Sequence, residues 1–181
     1  ILTFTANNTH SGATIVNGGT VIIGTSGNLS GTSGVNIASG ATLTWNSTSS
    51  LNAALVSVSS GGRLNGTGSL TGNLTVNGKL SGTTTLAGTV GGSGAIDPGN
   101  SPGILTVGQV DPTGGLDFNF EFTATGSPNY GNAGASINDV LRVTDGTTPF
   151  SASLGGSNLV DIYLNVTGLE IGNQFRGGWY T

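Results

Sequence analysis

The sequence predicts an all-β protein: a parallel β-helix, or β-solenoid, of about 20 residues per turn with a β-rich C-terminal extension. Three observations predict it. The segments TIVNGGTVII (Thr14–Ile23), VNIASGATLTW (Val35–Trp45), VSVSSGGRLNG (Val56–Gly66) and LTVNGKLSG (Leu74–Gly82) align as copies of one unit. Each has apolar residues two apart, a Gly-containing break, then another apolar residue or pair. The second observation is composition. Gly supplies 34 of 181 residues, enough to bend a chain at many corners, and the apolar residues are mostly Val, Ile and Leu, which suit strands. Third, no window places apolar residues at helical spacing without an intervening Gly.

The anchors Val16, Ile37, Val58 and Val76 follow one another at a near-constant step, about 20 residues each time. One further step of the same size reaches Ile96. Within each short strand, alternation sends one side chain inward and the next outward. The inward set is Ile15 or Val16 with Val21 and Ile23, then Val35, Ile37, Ala41, Leu43 and Trp45. No turn of chain buries its apolar face alone, so turns must stack, and stacking also pairs the backbone N–H and C=O groups. Gly18-Gly19 and Gly61-Gly62 recur in phase and mark corners. A sandwich would repeat at about half this step, with turn signals between successive short strands. A flexible Gly/Ser linker would lack the regular apolar spacing.

The repeat shortens around Thr83–Val90. Gly91–Val107, with Pro98 and Pro102, reads as a wide rigid loop that re-enters a strand at Ile104. About five turns are expected in all. Residues 1–110 form the repeat region and 111–181 an acidic, β-rich C-terminal part. Two cations and one acid lie before Asp111, against two cations and seven acids from it onward. The later part shows strands at Leu116–Ala124, Asp139–Asp145 and Leu159–Val166, with a Gly/Asn/Pro loop at Ser127–Ser136. It either continues the solenoid with wider turns or packs an antiparallel element against it.

Charged residues are 7% of the chain, against roughly 25% in an average soluble domain. The net charge is −4, and Lys79, Arg63, Arg142 and Arg176 are scattered. Without a basic patch, nucleic acid is excluded as a partner. No apolar run approaches the roughly 20 residues of a membrane span. Cys is absent and Lys appears once, a composition that fits a bacterial extracellular protein independent of disulfides. The first residue is Ile1, so the chain reads as a mature or excised piece of a longer protein. Its six Asn-x-Ser/Thr sites are what a Ser/Thr-rich chain yields by chance.

SGATIVNGGTVIIG (Ser11–Gly24) and SGATLTW (Ser39–Trp45) resemble the autotransporter-associated β-strand repeat of bacterial surface proteins. IDPGNSPGILTVG (Ile96–Gly108) resembles the Pro-Gly-Asn-Ser-Pro-Gly segment that follows such repeats. NDVLRVTDG (Asn138–Gly146) resembles a strand found downstream, with Asn138 where an aromatic is usual. The resemblance implies a right-handed β-helix, secreted or held on a cell surface, that serves as a scaffold.

No catalytic, cofactor-binding or metal-ligating residue is assigned, and no enzyme activity is expected. His10 is the sole histidine, which leaves no His-based triad or metal cluster; it reads as an exposed turn residue. GGSGAID (Gly91–Asp97) is a single copy, one residue out of register with a calcium nonapeptide that needs tandem copies. Asp97 therefore reads as closing a turn on backbone N–H groups. Asp117, Glu121, Asp139, Asp145 and Asp161 are the acids from which a glycan-cleaving site would have to be built. Asp117 and Glu121 stand four positions apart on one extended strand, about 13 Å along it and too far for a carboxylate pair. The Thr-x-Thr pairs keep no constant phase, so there is no ice-binding ladder. Trp45 reads as core, while Tyr130, Tyr163, Trp179 and Tyr180 could stack on sugars. The expected function is an extracellular structural or adhesive scaffold: a stalk, passenger segment or fibre subunit. Its partners are further copies, joined end to end through open strand edges, and a glycan or host surface. The alternative is a carbohydrate-binding or carbohydrate-cleaving β-helix, which requires Asp139, Asp145 or Asp161 beside Tyr130 or Tyr163.

Overall fold

A computed structural model describes residues 1–99, 103–123, 139–144 and 161–167, without the side chains of 122–123 and 161–167. The protein is all-β, with eighteen strands among these residues. The first nine are β1 (Leu2–Phe4), β2 (Asn7–Asn8), β3 (Thr14–Val16), β4 (Gly19–Ile23), β5 (Asn28–Leu29), β6 (Val35–Ile37), β7 (Ala41–Trp45), β8 (Leu55–Val58) and β9 (Arg63–Gly66). The rest are β10 (Ser69–Leu70), β11 (Asn73–Val76), β12 (Lys79–Gly82), β13 (Thr85–Gly91), β14 (Ala95–Pro98), β15 (Ile104–Asp111), β16 (Asp117–Thr123), β17 (Val140–Val143) and β18 (Asp161–Thr167). A single 3-10 turn at Pro112–Gly114 is capped by Asp111, whose carboxylate accepts from the N–H of Thr113.

Two eight-stranded sheets hold most of the chain. The first runs β1-β4-β7-β9-β12-β14-β16-β18; the second runs β17-β15-β13-β11-β8-β6-β3, with β10 also on β13. From β6 onward the chain passes from one sheet to the other strand by strand, save for the short β10. β2 and β5 form a small third sheet. Every strand pairing among the described residues is parallel, and the antiparallel contact there is a bridge between Gly82 and Gly99.

The register follows the sequence repeat. Val16 pairs with Ile37, Ile37 with Val58, and Val58 with Val76. Equivalent backbone positions thus carry like aliphatic side chains, and these stack as columns. A second column runs Val21, Leu43, Leu64, Leu80, Ile96 and Phe118. A third runs Leu51, Leu70, Leu86, Val107 and Val143. One hydrophobic cluster takes in buried residues from both large sheets. Val35, Ile37, Ala41, Leu43 and Trp45 are fully buried, as alternation requires. Of the pair left open, Val16 turns inward and Ile15 is exposed. Gly19, Gly40 and Gly61 all have φ between +68° and +80°. They stand where the chain leaves the second sheet for the first, a conformation that costs a side chain energy and Gly little.

Three sequence expectations are corrected. Ile96 does not continue the Val76 column; it pairs with Leu80 in the other sheet. The repeat contracts after β9: Leu43 pairs with Leu64, but Leu64 with Leu80 and Leu80 with Ile96, each of the later steps five positions shorter than the first. A step of constant length therefore overshoots by most of a corner. Gly91–Val107 is not one wide loop, since it contains β14 and the start of β15. Pro98 ends β14, past Ala95 and Ile96, the residues paired with β16. Among the described strands, no antiparallel element packs beside the repeats. β16 and β18 extend the first sheet and β17 the second. The steps there lengthen to roughly twice those before them, with Leu105 paired to Leu141 and Phe118 to Ile162. The Ser127–Ser136 loop, Asp145, Tyr130, Trp179 and Tyr180 lie outside the described residues, as do the side chains of Asp161 and Tyr163.

Candidate functional site

Along β9, β12, β14 and β16 the inward positions are Leu64, Leu80, Ile96 and Phe118, all buried. Period-two alternation therefore turns Arg63, Lys79, Ser81, Asp97, Asn119 and Glu121 to the outer face of the first sheet. These side chains line a cleft of about 470 Å³ with Pro98, Gly99, Phe120 and Asp139. It is the one place among the described residues where several acids and cations meet.

Asp97 is corrected here. It closes no turn: it is a strand residue whose carboxylate pairs with the Lys79 ammonium. Its other oxygen accepts from Asn119 Nδ2 at 2.7 Å. Three successive strands are thus tied through one carboxylate. The pair is partly open to solvent, with side-chain exposures of 37% and 25%, so its net worth in stability is small.

Asp139 stands just before β17 and is 8% exposed. Its Oδ1 accepts the N–H of Gly103 at 2.9 Å and its Oδ2 the N–H of Glu121 at 2.8 Å. Its own N–H donates to the Glu121 carbonyl at 2.8 Å. The residue staples the start of β17 to β16 and to the chain entering β15. Burial pushes its carboxyl above the usual aspartate range. The two N–H groups pull it back, and the charges of Glu121 and Asp97 add to the rise. Gly99 closes the same corner with φ +86°. A Cβ there would lie 2.3 Å from Gly103 N and 2.8 Å from Asp139 Oδ1.

Two of the three carboxylates in the cleft are tied through both oxygens to neighbouring groups. Both oxygens of Asp139 are engaged by backbone N–H groups, and both oxygens of Asp97 by Lys79 and Asn119. A general acid or base needs a carboxyl aimed at substrate. No group of three or more His, Asp or Glu among the described residues could hold a metal ion. His10 is exposed and shares a hydrogen bond of 2.9 Å with Thr14. Trp45 is core and fully buried. Asp117 shares Glu121's strand but does not line the cleft. The sequence grouped Glu121 and Asp139 with the other late acids and gave no reason to join Asp97 to them. Lys79 and Asp97 stand close to one repeat apart, and that spacing was the available signal. No helix among the described residues is long and apolar enough to cross a membrane. Comparison with known proteins returned no match: no family model, no curated protein and no solved structure is similar to the chain.

Proposed function

We propose that the two sheets are walls of one right-handed parallel β-helix and that the protein is an extracellular structural or adhesive scaffold, not an enzyme. The carrying observation is the ladder itself. One unbroken apolar column, Leu2, Val21, Leu43, Leu64, Leu80, Ile96 and Phe118, runs from β1 to β16, each strand about one repeat on from its partner, all parallel, over one continuous core. A chain that alternates between two such sheets is economical as a solenoid, because each strand hydrogen-bonds the turn before and after it. The low charge and the absence of Cys in the sequence agree with a secreted or surface-held bacterial protein. So does the resemblance to the autotransporter-associated repeat.

Solenoid ends are open strand edges, and an open edge accepts another strand. Ile15 on β3, the last strand of the second sheet, is 59% exposed. The reading therefore includes end-to-end association of copies. Sedimentation equilibrium of the whole chain over a wide concentration range, with electron microscopy at the highest, tests it. Linear oligomers that lengthen with concentration are expected. A monomer at every concentration contradicts the association.

A further inference from the structure

We propose that Asn17-Gly18 is a self-modifying site, at which the Asn17 amide is lost and an aspartate or its β-linked isomer takes its place. The chain holds three Asn-Gly pairs: Asn17-Gly18, Asn65-Gly66 and Asn77-Gly78. In the reaction the Gly nitrogen attacks the Asn side-chain carbonyl carbon. A new C–N bond forms, the bond to the side-chain NH2 breaks, and ammonia leaves carrying the proton of the Gly N–H. Water then opens the cyclic imide at one of its two carbonyls. One opening leaves an ordinary aspartate; the other routes the backbone through the side-chain carbon. Gly permits the attack because it has no Cβ to crowd the ring. The step needs an Asn side chain that is free to turn, a Gly N–H that is not hydrogen-bonded, and room for the ring.

The fold meets all three needs at one pair. Asn17 and Gly18 are exposed at the corner between β3 and β4. Among the described residues, no hydrogen bond holds the Asn17 side chain or the Gly18 N–H. A Cβ built on Gly18 meets nothing within 4 Å, and neither does one on Gly19. Asn77-Gly78 takes the same corner on a later rung, just past Val76, and is tied there. Asn77 Oδ1 accepts from the N–H and the hydroxyl of Ser93, each at 3.2 Å. The Gly78 N–H donates to the Val58 carbonyl at 3.2 Å, and a Cβ on Gly78 would lie 2.3 Å from Gly62 O. Asn65-Gly66 lies inside β9, with Trp45 of β7 as the register partner of Gly66. Gly66 is buried, and a Cβ on it would lie 2.1 Å from the Trp45 carbonyl oxygen. The product changes the character of this end of the chain. Residues 1–62 contain no Asp, Glu, Lys or Arg, so conversion of Asn17 gives that stretch its first carboxylate. The site does not rest on the scaffold reading, because it is read from one corner whatever the protein does.

The test is a long incubation of the folded whole chain in mildly alkaline buffer, then digestion with a protease active in acid and peptide mass spectrometry. A parallel sample is held unfolded in guanidinium. In the folded chain the Asn17 peptide should gain the mass of an amide turned carboxylic acid and split into two isomers on chromatography. Asn65 and Asn77 should keep their amides there, and all three should convert in the unfolded sample. Gly18→Val, at a corner where a side chain meets nothing, should preserve the Asn17 amide, since a branched Cβ crowds the attack. The proposal is overturned if Asn17 stays an amide in the folded chain, or if Asn65 or Asn77 converts there as fast as Asn17. It is equally overturned if the unfolded chain repeats the folded ranking, or if Gly18→Val leaves the rate unchanged.

Discussion

Trp45 shows how strictly single residues are constrained. It is fully buried, and the space for its ring comes from the next rung. A Cβ on Gly68 would lie 2.2 Å from Trp45 Cδ1, and one on Gly66 would lie 2.1 Å from the Trp45 carbonyl oxygen. Gly68→Ala should therefore destabilise the fold by about 2 kcal/mol through overpacking, and Trp45→Ala by about 4 kcal/mol through the cavity left. Denaturant melts measure both; a Gly68→Ala variant as stable as wild type would contradict the packing. Asp139 makes a pH prediction. Its folded-state pKa is raised, so the folded chain keeps the proton longer than the unfolded chain. Its contribution is fully present below the unfolded value of about 4 and is lost as pH rises through the raised folded value. The stability difference between wild type and Asp139→Asn should fall across that window and level off above it. A difference that rises with pH would reverse the assignment. Three buried hydroxyls find backbone carbonyls, Thr32 donating to Gly12, Ser47 to Gly27 and Thr84 to Gly66, whereas the buried Trp45 Nε1 and Asn65 Oδ1 have no hydrogen-bond partner.

Single strands separate what stabilises from what lines the surface. Lys79 and Leu80 are neighbours on β12, one in the cleft and one in the core. Leu80→Ala should cost about 3 kcal/mol, while Lys79→Ala should cost under about 1 kcal/mol, since its ion pair is part-exposed. Equal losses would mean that the ion pair carries weight the geometry does not give it. The strands of the first four copies were legible because apolar alternation and Gly corners repeat with a near-constant step. Val16, Ile37, Val58 and Val76 could be aligned by eye and are register partners. β14 was hidden, because Ala95–Pro98 sits between a Gly-rich run and a Pro-Gly pair, and those residue types argue for a loop wherever they occur. The contraction of the repeat after β9 was also hidden. Corner length depends on which backbone atoms Gly lets approach, as where a Cβ on Gly78 would meet Gly62 O at 2.3 Å.

Across the whole molecule, the cleft exists only because distant segments share a register. Asp97 and Asn119 are far apart in the chain and meet through β14 and β16. Asp139 reaches Gly103 through the long step between β15 and β17. The Asp97–Asn119 step is about one repeat, but the step that brings Asp139 to Gly103 follows no repeat spacing, which is why the acids looked dispersed in the sequence while the core did not. The scaffold reading rests on strands stacked parallel and in register. The chain has no Cys, so the register can be read with a designed disulfide. Asn36 and Ser57 are register partners on β6 and β8, between buried neighbours, and so point outward. Directly paired positions fall within the Cα separation a disulfide spans. Asn36→Cys/Ser57→Cys should close on mild oxidation, with a mass loss of about two hydrogens per molecule and one new intrachain cross-link. Failure of that pair to close in the folded chain, or equal closure of Asn36→Cys with a cysteine at Ser59, two positions out of register, would contradict the stacked parallel ladder.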